Sequence, residues 1–161
     1  MAIQTVTTSL SGGQRLTRKL KEIAQALGDG DLDVSVGFQN GATYPESEGG
    51  LPVAQVAFWN NFGTRTTPAR PFIGNFIEDQ QPTWAKKLGV ALRVTGYRTK
   101  PALEILGADM AGHMRESIVL LTDPPNAPYT LAHKKGSKPL VDTGWMLKNV
   151  TWEVKSNSVT R

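Results

Sequence analysis

A chain of 161 residues, 39% of them apolar and with a net charge of +4, has the size of one domain with a modest core. It has no cysteine, which excludes disulfides and thiolate metal sites. No apolar run approaches the roughly 20 residues of a membrane span, and Met1 to Gly12 lacks the charged and apolar regions of a signal peptide. A pI of about 9.5 fits contact with nucleic acid or an acidic protein surface, and equally a solvated basic surface.

Residues 1–12 are rich in Ser and Thr, unpatterned, and read as an N-terminal arm. Leu16, Leu20, Ile23, Ala24 and Leu27 recur at helical spacing and predict a helix from Gly13 to Leu27, stopped by Gly28. After the turn Asp29-Gly30-Asp31, the alternation of Leu32, Val34, Val36 and Phe38 predicts a strand. Gln39 to Gly50 reads as a long polar loop. Pro52 suits the first turn of a short helix ending at Phe62-Gly63, with Val53, Val56, Ala57 and Asn60 on one face. Thr64 to Pro71 is a proline-braced turn.

A third helical stretch opens at Phe72 and is expected to divide at Pro82 before ending at Gly96. Lys87 reads as a surface position on it. Pro101 predicts the start of a fourth helix. Leu103, Leu106, Met110, Met114, Ser117 and Leu121 form its inner stripe, with Ile105 and Ile118 at the border. Asn126 to Ser137 reads as a second long loop with a basic tip, His133-Lys134-Lys135-Gly136. Both long loops are expected to be mobile in a free subunit. Asp142-Thr143-Gly144 caps a short helical piece from Trp145 to Lys148, and Val150, Trp152 and Val154 alternate in a last strand. The sum is an α+β fold: several helices packed on a small, mostly antiparallel sheet with long loops, in one domain over 1–161.

Catalytic chemistry finds little to work with. The two histidines, His113 and His133, stand at no metal-ligand spacing, and Ser137, His133 and Asp142 form no arguable triad. Asp29, Asp31 and Asp33 have the spacing of a calcium loop, but its twelfth position is Asn40 rather than Glu. Gly12-Gly13, Gly28-x-Gly30 and Gly49-Gly50 lack the context of a phosphate loop. The expectation is no enzyme, no cofactor and no metal. Arg15, Arg18, Lys19 and Lys21 on the first helix, with Lys134, Lys135 and Lys138, leave a basic nucleic-acid-binding domain as an alternative.

The aromatics cluster at breaks. Phe62, Phe72 and Phe76 read as core, whereas adjacent Phe58 and Trp59 cannot both face one core, since helical neighbours lie about 100° apart. Asn60-Asn61-Phe62-Gly63-Thr64 precedes Pro68-Ala69-Arg70-Pro71-Phe72, and Lys138-Pro139-Leu140-Val141-Asp142-Thr143-Gly144-Trp145-Met146-Leu147 follows near the C-terminus. In this order and separation the two motifs resemble the tail-completion (neck) proteins of long-tailed bacteriophages, over most of residues 13–155. Trp145 departs from the polar residue expected after Thr-Gly.

The resemblance implies a structural virion protein. It would form a ring, with a homo-hexamer as the natural number, that completes the tail and joins it to the head connector. Implied partners are other copies of itself, tail terminator or tail tube proteins, connector or stopper proteins, and DNA in the channel. The implied location is the virion, and the host cytoplasm during assembly. A tail terminator or head-closure ring is the neighbouring alternative. Trp59, Thr64, Arg70, Tyr44, Lys134, Lys135 and Trp145 are the expected interface residues, with Arg70 alternatively bonded to a loop carbonyl. Phe62, Gly63, Pro68, Pro71, Phe72, Pro139, Leu140, Asp142, Thr143 and Gly144 are the structural motif positions.

Overall fold

In the computed structural model, which describes residues 13–28, 31–38, 40–133 and 138–156, the chain begins with α1 (Gly13–Leu27), β1 (Leu32–Phe38) and α2 (Val53–Phe62). It continues as α3 (Phe72–Val94), α4 (Thr99–Leu120), α5 (Pro128–His133), α6 (Trp145–Lys148) and β2 (Val150–Ser156). The architecture is α+β, with the helices packed around one two-stranded antiparallel ribbon. The N-terminal arm, the turn residues 29 and 30, and the basic tip with Lys134 and Lys135 lie outside the described residues.

The ribbon pairs Val34 with Val154, Val36 with Trp152 and Phe38 with Val150. Opposed residues share a face, so these six present one apolar surface. A lone two-stranded ribbon is marginal in water. Here it rests on α4, which buries Leu103, Leu106, Met110, Met114 and Ile118 along one side. Gly107 permits the close approach: a Cβ there would lie 2.5 Å from Trp152 Cδ1 and 2.9 Å from Val34 Cγ2. The indole N–H of Trp152 donates to Glu104 Oε2 at 2.9 Å, which fixes the ring over the helix. On another side α4 meets α3, where Phe72 and Phe76 enter the core. Burying each such ring contributes roughly 2–3 kcal/mol.

Several expectations are corrected. Helix α3 runs unbroken through Pro82. Proline removes the amide that would bond the Glu78 carbonyl, but Glu78 and Pro82 are both solvent-facing, so water replaces the lost donor. Helix α4 starts two residues before Pro101, which sits in its first turn, where a missing amide costs nothing. Ile118 is fully buried rather than peripheral, because α3 covers that flank. Phe62 is 64% exposed, packed against Phe58 with ring centroids 4.7 Å apart and planes tilted by 48°, instead of entering the core. Its helical neighbour Asn61 is the buried residue there, in place of Asn60.

The two long loops also carry order. The first holds a one-turn 3-10 helix at Glu46–Glu48 and is closed by Tyr44 N–H donating to Leu51 O at 2.8 Å. The second holds α5, opened by Pro128. Lys87 is no plain surface lysine: its Nζ bonds Asp109 Oδ2 at 2.6 Å, His113 Nε2 at 3.0 Å and Gln80 Oε1 at 3.2 Å, tying α3 to α4. An ammonium only donates, so His113 Nε2 accepts and its Nδ1–H donates to Glu116 Oε2 at 3.2 Å.

Gly63 ends α2 with φ +78°. A Cβ there would stand 2.8 Å from the Ala69 amide nitrogen and 3.0 Å from Thr67 O. Backbone cannot yield as a side-chain tip does, so Gly63→Val is expected to cost roughly 2–4 kcal/mol. The exposed Lys86→Ala is expected to stay within about 0.5 kcal/mol of the parent. Urea denaturation of both variants measures the difference, and matching midpoints would contradict it.

Candidate functional site

The first motif is a hydrogen-bonded corner between α2 and α3. Asn61 Oδ1 accepts the Ile73 amide at 3.0 Å and so caps α3 from the preceding helix. Thr64 Oγ1 accepts the amides of Thr66 and Thr67 at 3.3 and 3.0 Å, closing the turn that Gly63 begins. The Arg70 amide donates to Asn60 O at 2.7 Å, and Pro71, at φ −77° and ψ 55°, turns the chain tightly enough for the Phe72 amide to donate to Arg70 O at 2.8 Å. Phe72 is then delivered, fully buried, into the core.

Arg70 is 5% exposed. Its Nε donates to Pro124 O and its Nη2 to Pro125 O, both at 3.1 Å. The fork thus ties the corner to the segment that follows α4. Burial lowers the guanidinium pKa. Of the two roles open to Arg70 in the sequence, the free chain uses the internal bond.

The second motif wraps back onto α2 and the 44–51 loop. Leu140 and Met146 are buried. Gly144 adopts φ +74° at the start of α6, a conformation that glycine reaches without a Cβ penalty. Thr143 Oγ1 donates to Glu48 Oε2 at 3.2 Å. Trp145 uses its indole N–H to donate to Thr43 O at 2.8 Å, and Lys148 Nζ lies 5.9 Å from its ring centroid.

These contacts shape an open groove of about 450 Å³. Tyr44, Leu51, Val56 and Asn60 line one side, and Pro139 to Met146 supply the other. Both charged residues of the lining are acidic, Glu48 and Asp142, and Glu46 stands two residues before Glu48. Among the described residues none of the three acids is in an ion pair. The Tyr44 phenol is pushed above its ordinary pKa, chiefly by burial and then by the Glu48 and Asp142 carboxylates.

Of the expected interface residues, the groove gathers Tyr44 and Trp145 with the motif positions Pro139, Leu140, Asp142, Thr143 and Gly144. Trp59 and Thr64 are exposed but lie outside it, and Arg70 is buried elsewhere. Sequence reasoning missed Glu48, Leu51 and the cap by Asn61. An acid beside Tyr-Pro in a polar loop carries no signal until the loop is folded. Among the described residues no group of three His, Cys, Asp or Glu side chains is arranged to hold a metal ion. No described helix is long and apolar enough to cross a membrane. Comparison with protein-family models, curated proteins and solved structures gives no match to this chain.

Replacing Arg70 with Ala would strand two carbonyls and is expected to cost roughly 2–4 kcal/mol. Arg70→Lys is expected to recover only part of this, because an ammonium cannot span both carbonyls in the plane of a fork. Chemical denaturation of the pair provides the measure, and full recovery in Arg70→Lys would refute the forked role.

Tyr44 generates a pH prediction. Its folded pKa lies above the unfolded value, so its stabilising contribution is complete below the unfolded pKa of about 10 and is lost as pH rises through the folded value. In a Tyr97→Phe, Tyr129→Phe background, ultraviolet titration should place Tyr44 above free tyrosine, and Glu48→Gln should lower it. An unchanged titration in Glu48→Gln would show that the carboxylate does not act on the phenol.

Proposed function

We propose that this chain is a structural subunit of the neck of a long-tailed phage, a tail-completion protein that assembles as a ring and joins the tail end to the head connector. The observation that carries the reading is the meeting of the two motifs that bear the family resemblance. Asn60 from the first and Pro139 to Met146 from the second close one groove, and Arg70 ties the first to the segment leading into the second. Residues that pack only for a monomer's sake need not build an open, acid-rimmed surface. Exposed Phe58 and Phe62, packed together beside this corner, add an uncovered aromatic patch of the kind that other chains cover.

A second reading, a nucleic-acid-binding domain, is favoured by one observation: Arg15, Arg18, Lys19 and Lys21 are all exposed on α1. Phosphate contacts make binding fall steeply with salt. The ring reading expects light scattering to give a discrete closed oligomer, with a hexamer of the 17.5 kDa chain at six times that mass, about 105 kDa. It also expects antibody labelling at the head–tail junction of virions. A strict monomer that shifts duplex DNA at low salt and releases it at about 0.3 M would reverse the order of the two readings.

A further inference from the structure

Helix α1 has its apolar stripe in water. Leu16 is 60% exposed and Leu20 56%, with Leu27 also exposed and Ile23 only half covered. Its C-terminal end is tied to the body by Thr99 Oγ1 donating to Leu27 O at 2.6 Å. The other faces carry Arg15, Arg18, Lys19 and Lys21 against a single acid, Glu22. A helix that is apolar on one side and basic on the rest is matched by a trough with an apolar floor and an acidic rim. The groove between the two motifs combines both: Leu51, Val56, Leu140 and Met146 line it, the last two buried, together with exposed Glu48 and Asp142.

The same chain's helix does not fill it. Thr99, at the first residue of α4, holds the end of α1. Arg115, about 16 residues on, donates to Leu147 O and Val150 O beside the groove. At about 1.5 Å per residue the two ends lie about 24 Å apart along α4. The anchored C-terminal end of α1 and the groove are thus separated along α4, and no α1 residue lines the groove, which leaves it open to the helix of another copy.

We propose that α1 of one copy seats its Leu16–Leu20–Ile23–Leu27 stripe in the Glu48/Asp142 groove of the next copy, forming the subunit contact. This rests on the ring reading for its closure but not for its pairing. A second apolar groove, between α3 and α4 with Val90, Val94 and Ile105, is the rival seat. Its charged lining residues are Lys86, Lys87 and Asp109, and the acid among them already bonds Lys87, so it offers no unpaired negative rim to a basic helix. DNA binding would use the cations of α1 but would leave its leucines in water.

The chain has no cysteine, so single cysteines report contacts directly. Leu20→Cys, Leu51→Cys and Val90→Cys all replace exposed residues, and circular dichroism matching the parent establishes that each folds. A tagged Leu20→Cys chain is mixed with untagged Leu51→Cys or Val90→Cys chains under mild oxidation. The Leu51 mixture is expected to give mixed disulfide dimers in about tenfold excess over the Val90 mixture, and Glu48→Lys with Asp142→Lys to erase that excess. Reversing Arg18 and Lys19 to Glu should restore it. Equal yields from the two mixtures would overturn the proposal. So would a Leu20→Cys/Leu51→Cys double variant that closes within one chain. A closed ring in light scattering without the Leu20–Leu51 preference would refute this contact and leave the ring reading standing. The preference without a closed ring would keep the contact and remove the ring.

Discussion

The approach of α4 to the ribbon at Gly107 is the constraint from which most of the molecule follows. Trp152 fills the place where a side chain would stand, so helix and sheet are in backbone-to-ring contact. That contact sets the height of the ribbon over the helix, and the Trp152–Glu104 bond sets its rotation. Register then follows, because a one-residue slip of β2 would swing Trp152 off the helix and bring polar Thr151 or Glu153 inward. Further along α4, Arg115 takes the carbonyls of Leu147 and Val150, and so fixes where α6 meets β2. Leu140 and Met146 are held against the core beside it. The groove is thus positioned by a helix that contributes none of its lining.

Elements whose neighbours in sequence decide them were legible. The spacing of Leu16, Leu20 and Leu27 fixes α1 to its last residue, the alternation through Val34, Val36 and Phe38 fixes β1, and Gly144 marks the start of α6. Elements decided by distant partners were not. A proline reads as a break wherever it stands, yet Pro82 is tolerated because its side of α3 faces water. Ile118 looks peripheral in the α4 stripe alone and becomes central once α3 lies against it, with Ser117 Oγ donating to Phe72 O at 2.7 Å. Phe62 looks like core by composition. On a short helix that buries Val53, Ala57 and Asn61, it falls on the other side.

The site was legible in part for the same reason. Its motif residues stand out because Gly, Pro, Asn and Thr at such spacing have little use except in a defined turn. What the turn is for depends on groups far away in sequence. Arg70 is a candidate interface residue until Pro124 and Pro125 are brought beneath it. Asn61 is one polar residue of a pair until Ile73 turns back over it. The groove needs three separate segments, near 44–51, 56–60 and 139–146, and its acidic character arises only when Glu48 and Asp142 meet around Tyr44.

Helix α1 and the groove also differ in charge. The charged lining of the groove is acidic, Glu48 and Asp142, with Lys148 outside it over Trp145, while α1 carries four cations against one acid. Two copies meeting through the same patch would set like charges against each other, a cost that an isologous contact cannot avoid. Copies meeting head to tail would set opposite charges together. At physiological salt the Debye length is about 8 Å, so this preference acts within the contact rather than at long range. The polar rims would then select orientation and register, while binding strength would come from covering the leucines. A helix stripe with two leucines more than half exposed is costly for a free subunit to display. That cost becomes a driving force as soon as a complementary neighbour is present.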